Sequence, residues 1–210
     1  MTGPAPDGDR ERWNAKHSSV QVGGSEPRPW LVDHRELLVD GQGERRAVDA
    51  AKPGRRALDV ACGRGREALY LAEAGFEVDA LDVSDVVVDA LAVTAGERGL
   101  PVHARRVDLA ASPEEVTPGA YDVVIGFYFL QRPLLPVLAA ALAPGGLLFY
   151  ETFTRDHNDL LGRDMSPHVL LEHNELLHVF TALRVVRYRE AIIGTPDRRR
   201  AVASLIAQRT

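Results

Sequence analysis

The chain has 210 residues, 45% of them hydrophobic and 26% charged, which suits one well-buried domain and excludes a disordered chain. It carries 25 Lys and Arg against 30 Asp and Glu, a net charge of −5, which argues against a general nucleic-acid-binding surface. No apolar run approaches the roughly 18 residues that a membrane span requires, and the single cysteine, Cys62, excludes an intrachain disulfide and a cysteine-built zinc cage.

Residues 1–12 are rich in Pro, Gly, Asp and Arg and read as a flexible tail. They lack the apolar stretch of a secretory signal, so a cytoplasmic protein is expected. Residues 13–50 read as an N-terminal helical segment with two tryptophans, Trp13 and Trp30. Leu31, Val32, Leu37 and Leu38 have helical spacing over residues 31–39, which Gly41 and Gly43 interrupt. Pro53-Gly54 is a break, and residues 51–210 read as the main domain. Residues 57–61 are a buried strand that runs into the loop Cys62-Gly63-Arg64-Gly65. A helix over 66–74, with Leu69, Leu71 and Ala72 on its apolar side, stops at Gly75. A strand over 76–82 follows. Ser84 caps the next helix, Asp85 adds negative charge to its first turn, and Gly99 ends it. Further strands cover 101–107, 121–127 and 147–151, with a helix over 134–142 closed by Pro144-Gly145-Gly146.

Strands that alternate with helices of this length form βαβ units and a parallel sheet covered on both faces. Residues 153–167 then read as a loop and 168–180 as a helix. Two strand-like runs, 183–193 and 200–207, are joined by Gly194-Thr195-Pro196-Asp197, a link so short that they pair as an antiparallel hairpin. The expected architecture is α/β: a doubly wound, mostly parallel seven-stranded sheet with one antiparallel edge strand and an N-terminal helical lid.

Gly63, Gly65 and Ala68 have the spacing G-x-G-x-x-A between a strand and a helix, where glycines allow a tight turn and close approach of a ligand to the main chain. Alone, this spacing also suits a dinucleotide. Asp59, four residues before Gly63, is a poor neighbour for a pyrophosphate. It suits a cationic ligand, or a cap for the following helix. Asp82 and Asp108 stand at strand ends, where ordinary exposed acids also occur.

On these residues, over about 55–210, the chain resembles the class I S-adenosylmethionine methyltransferases. The strand-loop from Leu58 to Gly65 is similar to that family's first motif, departing in Ala61 where a glycine is common. The resemblance implies S-adenosylmethionine as cofactor and assigns its contacts. Asp59, Ala61, Gly63 and Gly65 would line the methionine part, and Asp82 with Val83 would hold the ribose hydroxyls. Asp108 and Leu109 would read the adenine, and Gly126 and Phe127 would lie under the sulfonium. Pro144-Gly145-Gly146 is a further shared feature. Within the family the chain looks most like the small tellurite-resistance and thiopurine-related enzymes. The segments Trp13 to His17, Glu26 to Leu31, Glu151 to Thr154 and Asn174 to Leu177 carry that likeness.

The strand over 121–127 continues as Tyr128-Phe129, without the Asn/Asp-Pro-Pro-aromatic motif of amino-methylating DNA enzymes. Cys62 stands in no Pro-Cys motif. A small-molecule acceptor is therefore expected, with no nucleic acid and no membrane as partner, in a monomer or homodimer. The methyl would pass by in-line displacement. Candidates to line the acceptor pocket are Trp30, Tyr128, Arg155 and His157, with Arg198 placed by the likeness to tellurite-type enzymes. His157 would serve as a general base for a hydroxyl or amine, whereas a thiol would need none. No catalytic residue is assigned. His168, His173 and His178, five apart, turn about 140° from one to the next on a helix and form no metal site. Two alternatives remain at this point: an NAD(P)-dependent oxidoreductase, and a non-catalytic S-adenosylmethionine-binding regulator.

Overall fold

The structure, a computed structural model, describes residues 6–18, 26–38 and 54–210. Seven strands form one sheet: β1 (Arg56–Val60), β2 (Glu77–Asp82), β3 (Val102–Arg106), β4 (Tyr121–Phe127), β5 (Leu142–Phe153), β6 (Arg184–Ile193) and β7 (Arg200–Gln208). Their order is β3-β2-β1-β4-β5-β7-β6. Strands β1 to β5 pair in parallel, and β7 runs antiparallel to both β5 and β6. The antiparallel strand thus lies between β5 and the edge strand β6. From β1 the chain winds one way to β2 and β3, then crosses to β4 and β5. The gap between β1 and β4 is the topological switch point, where open α/β sheets bind ligands at the carboxyl ends of their strands.

Both faces are apolar because both are covered. One face packs under α3 (Arg66–Glu73), α4 (Asp85–Glu97) and α2 (Pro29–Val32). Trp30, Leu31, Leu71, Leu91, Ile125 and Phe149 are buried there. The other packs under α5 (Leu135–Ala141) and α7 (Glu175–Val179), with Leu58, Val124, Leu138, Tyr150, Leu176 and Phe180. Two further helices are α1 (Pro6–His17) and α6 (Asp156–Asp159). Among the described residues no helix is long and apolar enough to cross a membrane.

Four elements differ from the sequence expectation. The tail over 1–12 is helical from Pro6, because α1 docks on α4: Arg10 pairs with Asp85 at 2.9 Å, and Asn14 Nδ2 donates to the same carboxylate at 3.4 Å. The helix expected over 31–39 is the single turn α2, which Pro29 starts. A 3-10 turn at Arg35–Leu37 follows and brings Leu38 into the core. Strand β5 starts at Leu142 rather than 147, so Pro144-Gly145-Gly146 is an irregularity inside a strand instead of a turn before it. A side chain at position 146 would meet the carbonyl oxygens of Ala143 and Tyr121 at 2.9 Å. The helix expected over 168–180 breaks into a 3-10 turn at Pro167–Val169, a bridge from Leu171 to Thr154, and α7. Tertiary hydrogen bonds break it: Leu171 N–H donates to the Phe153 carbonyl at 2.9 Å, and the Arg132 guanidinium takes the His168 and Leu170 carbonyls. The breaks expected at Gly41, Gly43 and Pro53, and the domain boundary at residue 51, lie outside the described residues.

Candidate cofactor and acceptor site

The chain leaves β1 in a loop with three left-handed residues, Ala61 (φ 53°), Gly63 (φ 50°) and Gly65 (φ 68°). It is pinned by Cys62 N–H to the Leu81 carbonyl at 3.0 Å and by Gly65 N–H to the Cys62 carbonyl at 2.9 Å. The two glycines do different work. A Cβ on Gly65 would clash with the Leu91 side chain of α4, whereas a Cβ on Gly63 would meet only the Ala61 carbonyl oxygen, at 4.0 Å. Gly65 is needed for helix packing, and Gly63 faces open space where a ligand can approach the main chain.

Three carboxylates converge under this loop. Asp82, at the end of β2, accepts the Gly63 N–H on Oδ2 and the Ser84 N–H on Oδ1, both at 2.9 Å. Glu67, in the first turn of α3, accepts the Arg28 backbone N–H at 3.1 Å and the Arg66 guanidinium at 2.8 Å. Asp59, in β1, is 3% exposed. Burial, and then the charges of Glu67 and Asp82, raise its pKa well above the usual carboxylate range, against a hydrogen bond from the Ala68 N–H. The Asp59 carboxyl therefore does cap the following helix, yet its Oδ2 is buried without a hydrogen-bond partner. An acidic well with an unpaired oxygen is the complement of a cationic ligand.

The remaining cofactor candidates lie at neighbouring strand ends. Val107 N–H donates to the Asp82 carbonyl at 2.8 Å, which holds the end of β3 beside β2 and places Asp108 near Asp82. Asp108 Oδ1 accepts the Ala110 and Ala111 N–H groups at 3.0 and 3.3 Å, while Leu109 is buried. Val83 is half-buried between Asp82 and Ser84. Gly126 and Phe127 end β4. The missing side chain at 126 accommodates the Tyr150 ring, whose atoms would lie 2.8 Å from a Cβ, so Gly126 has a packing role of its own. Over this end of the sheet lies α1: its Asn14 Oδ1 accepts the Ser84 hydroxyl at 2.7 Å. Burial lowers the pKa of its His17, against the raising effect of the Asp82 charge.

The acceptor side is built around Tyr128, a half-buried residue at φ 57° directly after β4. Its backbone N–H donates to the Glu151 carbonyl at 2.8 Å and its hydroxyl to Glu151 Oε1 at 3.0 Å. The Arg28 guanidinium lies over its ring, 4.2 Å from the centroid, with Arg200 at 5.7 Å and the Phe153 ring at 4.8 Å. Trp30 packs against the hairpin of β6 and β7. It is 5% exposed, its Nε1 donates to the Leu205 carbonyl at 3.3 Å, and Arg189 lies 4.5 Å from its ring. His157 stacks 4.5 Å from Phe153. Its Nδ1 accepts the Ala201 N–H at 3.3 Å, and burial with Arg163 and Arg200 lowers its pKa. A neutral ring with Nδ1 engaged carries its proton on Nε2. His157 is thus a donor here, which removes the general-base role the sequence suggested.

Two candidates are not brought to this cluster. Arg155 is exposed and paired with Glu172 at 2.6 Å and Asp159 at 3.4 Å. Arg198 sits in the exposed 3-10 turn Pro196–Arg198 of the last hairpin, and Arg200, two residues on, is the hairpin arginine at Tyr128. The residues missed from sequence are Glu67 in the acidic well and Arg28, Glu151, Arg189, Arg200 and Ser204 on the acceptor side. Glu151 had a signal: a carboxylate inside the apolar run of β5, at a carboxyl strand end.

A protein-family model described as a methyltransferase domain matches residues 34–188. A ubiquinone biosynthesis O-methyltransferase of Methylococcus capsulatus is 29% identical over 140 residues, covering 58% of this chain and 59% of that protein. One from Xanthomonas campestris pv. campestris is 35% identical over 117 residues, covering 52% and 47%. The chain spans about half the length of the curated relatives it matches. Among solved structures, TehB of Haemophilus influenzae superposes with a TM-score of 0.67 at 17% identity, covering 96% of this chain and 67% of that one. The geranyl diphosphate C-methyltransferase of Streptomyces coelicolor, solved with Mg2+, geranyl diphosphate and S-adenosylhomocysteine, gives 0.67 at 15% identity and 100% coverage of both chains. At these identities the two structures attest the fold.

Proposed function

Because this chain belongs to the methyltransferase-domain family, we propose that it transfers the methyl group of S-adenosylmethionine to a small-molecule acceptor by in-line displacement. The observation that carries this reading is the buried, unpartnered Asp59 Oδ2, in a well shared with Glu67 and Asp82 beside the open face of Gly63. When bound, S-adenosylmethionine supplies a methyl already activated on a sulfonium, so the protein's tasks are to bind, orient and exclude water. Asp59 and Glu67 favour the cationic methionine end, and Gly63 leaves it room. Asp82 keeps lone pairs for the ribose diol after accepting two N–H bonds. Asp108 and the Leu109 N–H suit the adenine edge, and Val83 and Phe127 line its sides. The segment carrying Arg28 and Trp30 acts as the lid over the acceptor. A pyrophosphate, which an NAD(P) enzyme must hold, needs an uncharged or cationic site, and three converging carboxylates count against it. The ubiquinone biosynthesis relatives are named as O-methyltransferases, which supports an oxygen acceptor.

The test is calorimetric and thermal titration with S-adenosylmethionine, S-adenosylhomocysteine and NAD(H). At about 100 times its dissociation constant a ligand adds roughly 2.7 kcal/mol, so the adenosyl ligands are expected to raise the melting temperature by about 5–10 °C. Saturable NAD(H) binding without either adenosyl ligand would sink the reading. In the same assay Asp82→Asn is expected to weaken S-adenosylmethionine binding by about 1.5–3 kcal/mol, the worth of a hydrogen bond to a charged group. An unchanged dissociation constant would show that Asp82 does not touch the ribose.

A further inference from the structure

We propose that Tyr128 and Glu151 form a proton relay that lets the site methylate a hydroxyl group, with Tyr128 the residue that touches the acceptor and Glu151 the group that receives its proton. The inference rests on the methyltransferase reading with an oxygen acceptor and adds to it the residues that take the proton and the route it follows.

Pairing of β4, β5, β7 and β6 sets Phe127, Glu151, Ser204 and Arg189 in one row across the sheet. Glu151 is 2% exposed. Its Oε2 accepts the Ser204 hydroxyl at 2.7 Å and faces the Arg189 guanidinium at 3.5 Å. Both partners are donors and leave Glu151 the acceptor. Its Oε1 is taken at 3.0 Å by the hydroxyl of Tyr128, a half-buried residue whose ring lies 4.8 Å from that of Phe153. With the Ser204 hydroxyl and the Arg189 guanidinium, which accepts no proton, on its other oxygen, the buried carboxylate exchanges a proton with an acceptor through the phenol. The backbone reinforces it: Tyr128 is held at φ 57° with its N–H on the Glu151 carbonyl. A strained residue so tied to one partner is characteristic of a functional position.

The other titratable groups around the pair leave this role to it. Arg28 and Arg200, which face the Tyr128 ring from the N-terminal segment and from β7, are permanent cations and favour negative charge developing on a nearby oxygen. His157, behind Phe153, presents an N–H and no free lone pair. In the reaction the acceptor O–H bond breaks and its proton passes to the Tyr128 Oη as the phenol's own proton passes to Glu151 Oε1. The freed oxygen pair forms the O–CH3 bond, and the pair of the broken C–S bond stays on sulfur. A carboxylate and a sulfonium are thereby replaced by a carboxylic acid and a neutral thioether, and once the product leaves the acid returns its proton through the Tyr128 phenol. A thiol, which ionises readily by itself, has no need of the relay.

Two measurements test this with the full chain. The first needs no acceptor. Burial and the Glu151 charge push the Tyr128 phenol up to about 12. Ultraviolet titration, with Tyr128→Phe as the reference, is expected to show this phenolate emerging at lower pH in Glu151→Gln than in wild type, with the contribution of burial retained. An identical titration in wild type and Glu151→Gln would overturn the coupling. The second measures turnover of phenol, catechol and thiophenol, with S-adenosylhomocysteine affinity confirming that each variant is folded and loaded. Tyr128→Phe and Glu151→Gln are each expected to slow phenol and catechol methylation by about 10²–10⁴-fold, the usual scale of general acid–base catalysis, and thiophenol methylation by less than about tenfold. Equal losses on both classes would mean a packing role, and no loss on the hydroxyls would remove the relay. Methylation of thiophenol alone by the wild type would overturn the relay and leave the methyltransferase reading standing. Absence of S-adenosylhomocysteine binding would instead overturn that reading itself. Binding without methylation of any of the three would count against both.

Discussion

Gly65→Ala is expected to destabilise the protein by about 2–5 kcal/mol, while Gly63→Ala costs no more than about 1–2 kcal/mol and yet abolishes high-affinity S-adenosylmethionine binding. Both glycines have positive φ, so each alanine bears the left-handed penalty of about 1–2 kcal/mol. They differ in what a Cβ meets. At Gly65 it runs into Leu91, a fully buried side chain through which α4 packs on α3, and overpacking of that kind adds about 1–3 kcal/mol. At Gly63 it enters open space. Converted at about 2–4 °C per kcal/mol for a domain of this size, Gly65→Ala lowers the melting temperature by roughly 5–15 °C. Thermal melts and calorimetry on the two variants separate the roles. Equal melting losses, or normal cofactor affinity in Gly63→Ala, would refute the division of labour.

That the candidate cofactor residues gather at one end of the sheet was legible in the sequence, because it follows from where each stands on its strand. Asp59 and Gly63 lie at the end of one strand, and Asp82 and Asp108 at the ends of the next two, and parallel pairing places those ends side by side whatever the finer register. Tyr121–Phe127 was readable to the residue because burial on both faces leaves a continuous apolar stretch with sharp polar borders. Residues 142–146 were not, since Pro-Gly-Gly signals a turn locally, and only the close approach of the Tyr121 and Ala143 carbonyls makes Gly146 part of a strand. The helix expected over 168–180 failed for a related reason: its propensity is overridden by hydrogen bonds to β5 and to Arg132, more than 10 residues away. The acceptor half was the least legible. Arg28 reaches Tyr128 across 100 positions of sequence, and Glu151 meets Ser204 and Arg189 only because β7 inserts between β5 and β6. No local pattern announces a row that the strand order creates.

Asp59→Asn is expected to stabilise the ligand-free protein while weakening S-adenosylmethionine binding, and the two effects have one cause. The Asp59 carboxyl is buried against Glu67 and Asp82, so folding favours its protonated form. In the unfolded chain it titrates near 3.9. Above that pH the folded state holds a proton that the unfolded state has released, so this group's contribution to stability falls as pH rises, until the folded carboxyl also ionises. Asparagine keeps an oxygen for the Ala68 N–H and carries no charge, so that fall is absent. The variant's advantage is therefore smallest near pH 4 and grows towards neutral and alkaline pH, to about 0.5–2 kcal/mol, the range typical of stabilising single substitutions. The cationic cofactor reverses the preference, because a positive charge beside Asp59 favours the carboxylate. Binding to the wild type is then coupled to proton release, and affinity rises with pH over the interval in which stability falls. In Asp59→Asn the affinity is lower by about 1.5–3 kcal/mol and loses that pH dependence. Calorimetry in buffers of different ionisation enthalpy reads the released proton directly. A wild type that releases none, or a variant that binds as tightly as wild type, would show that the acidic well serves only to brace the loop.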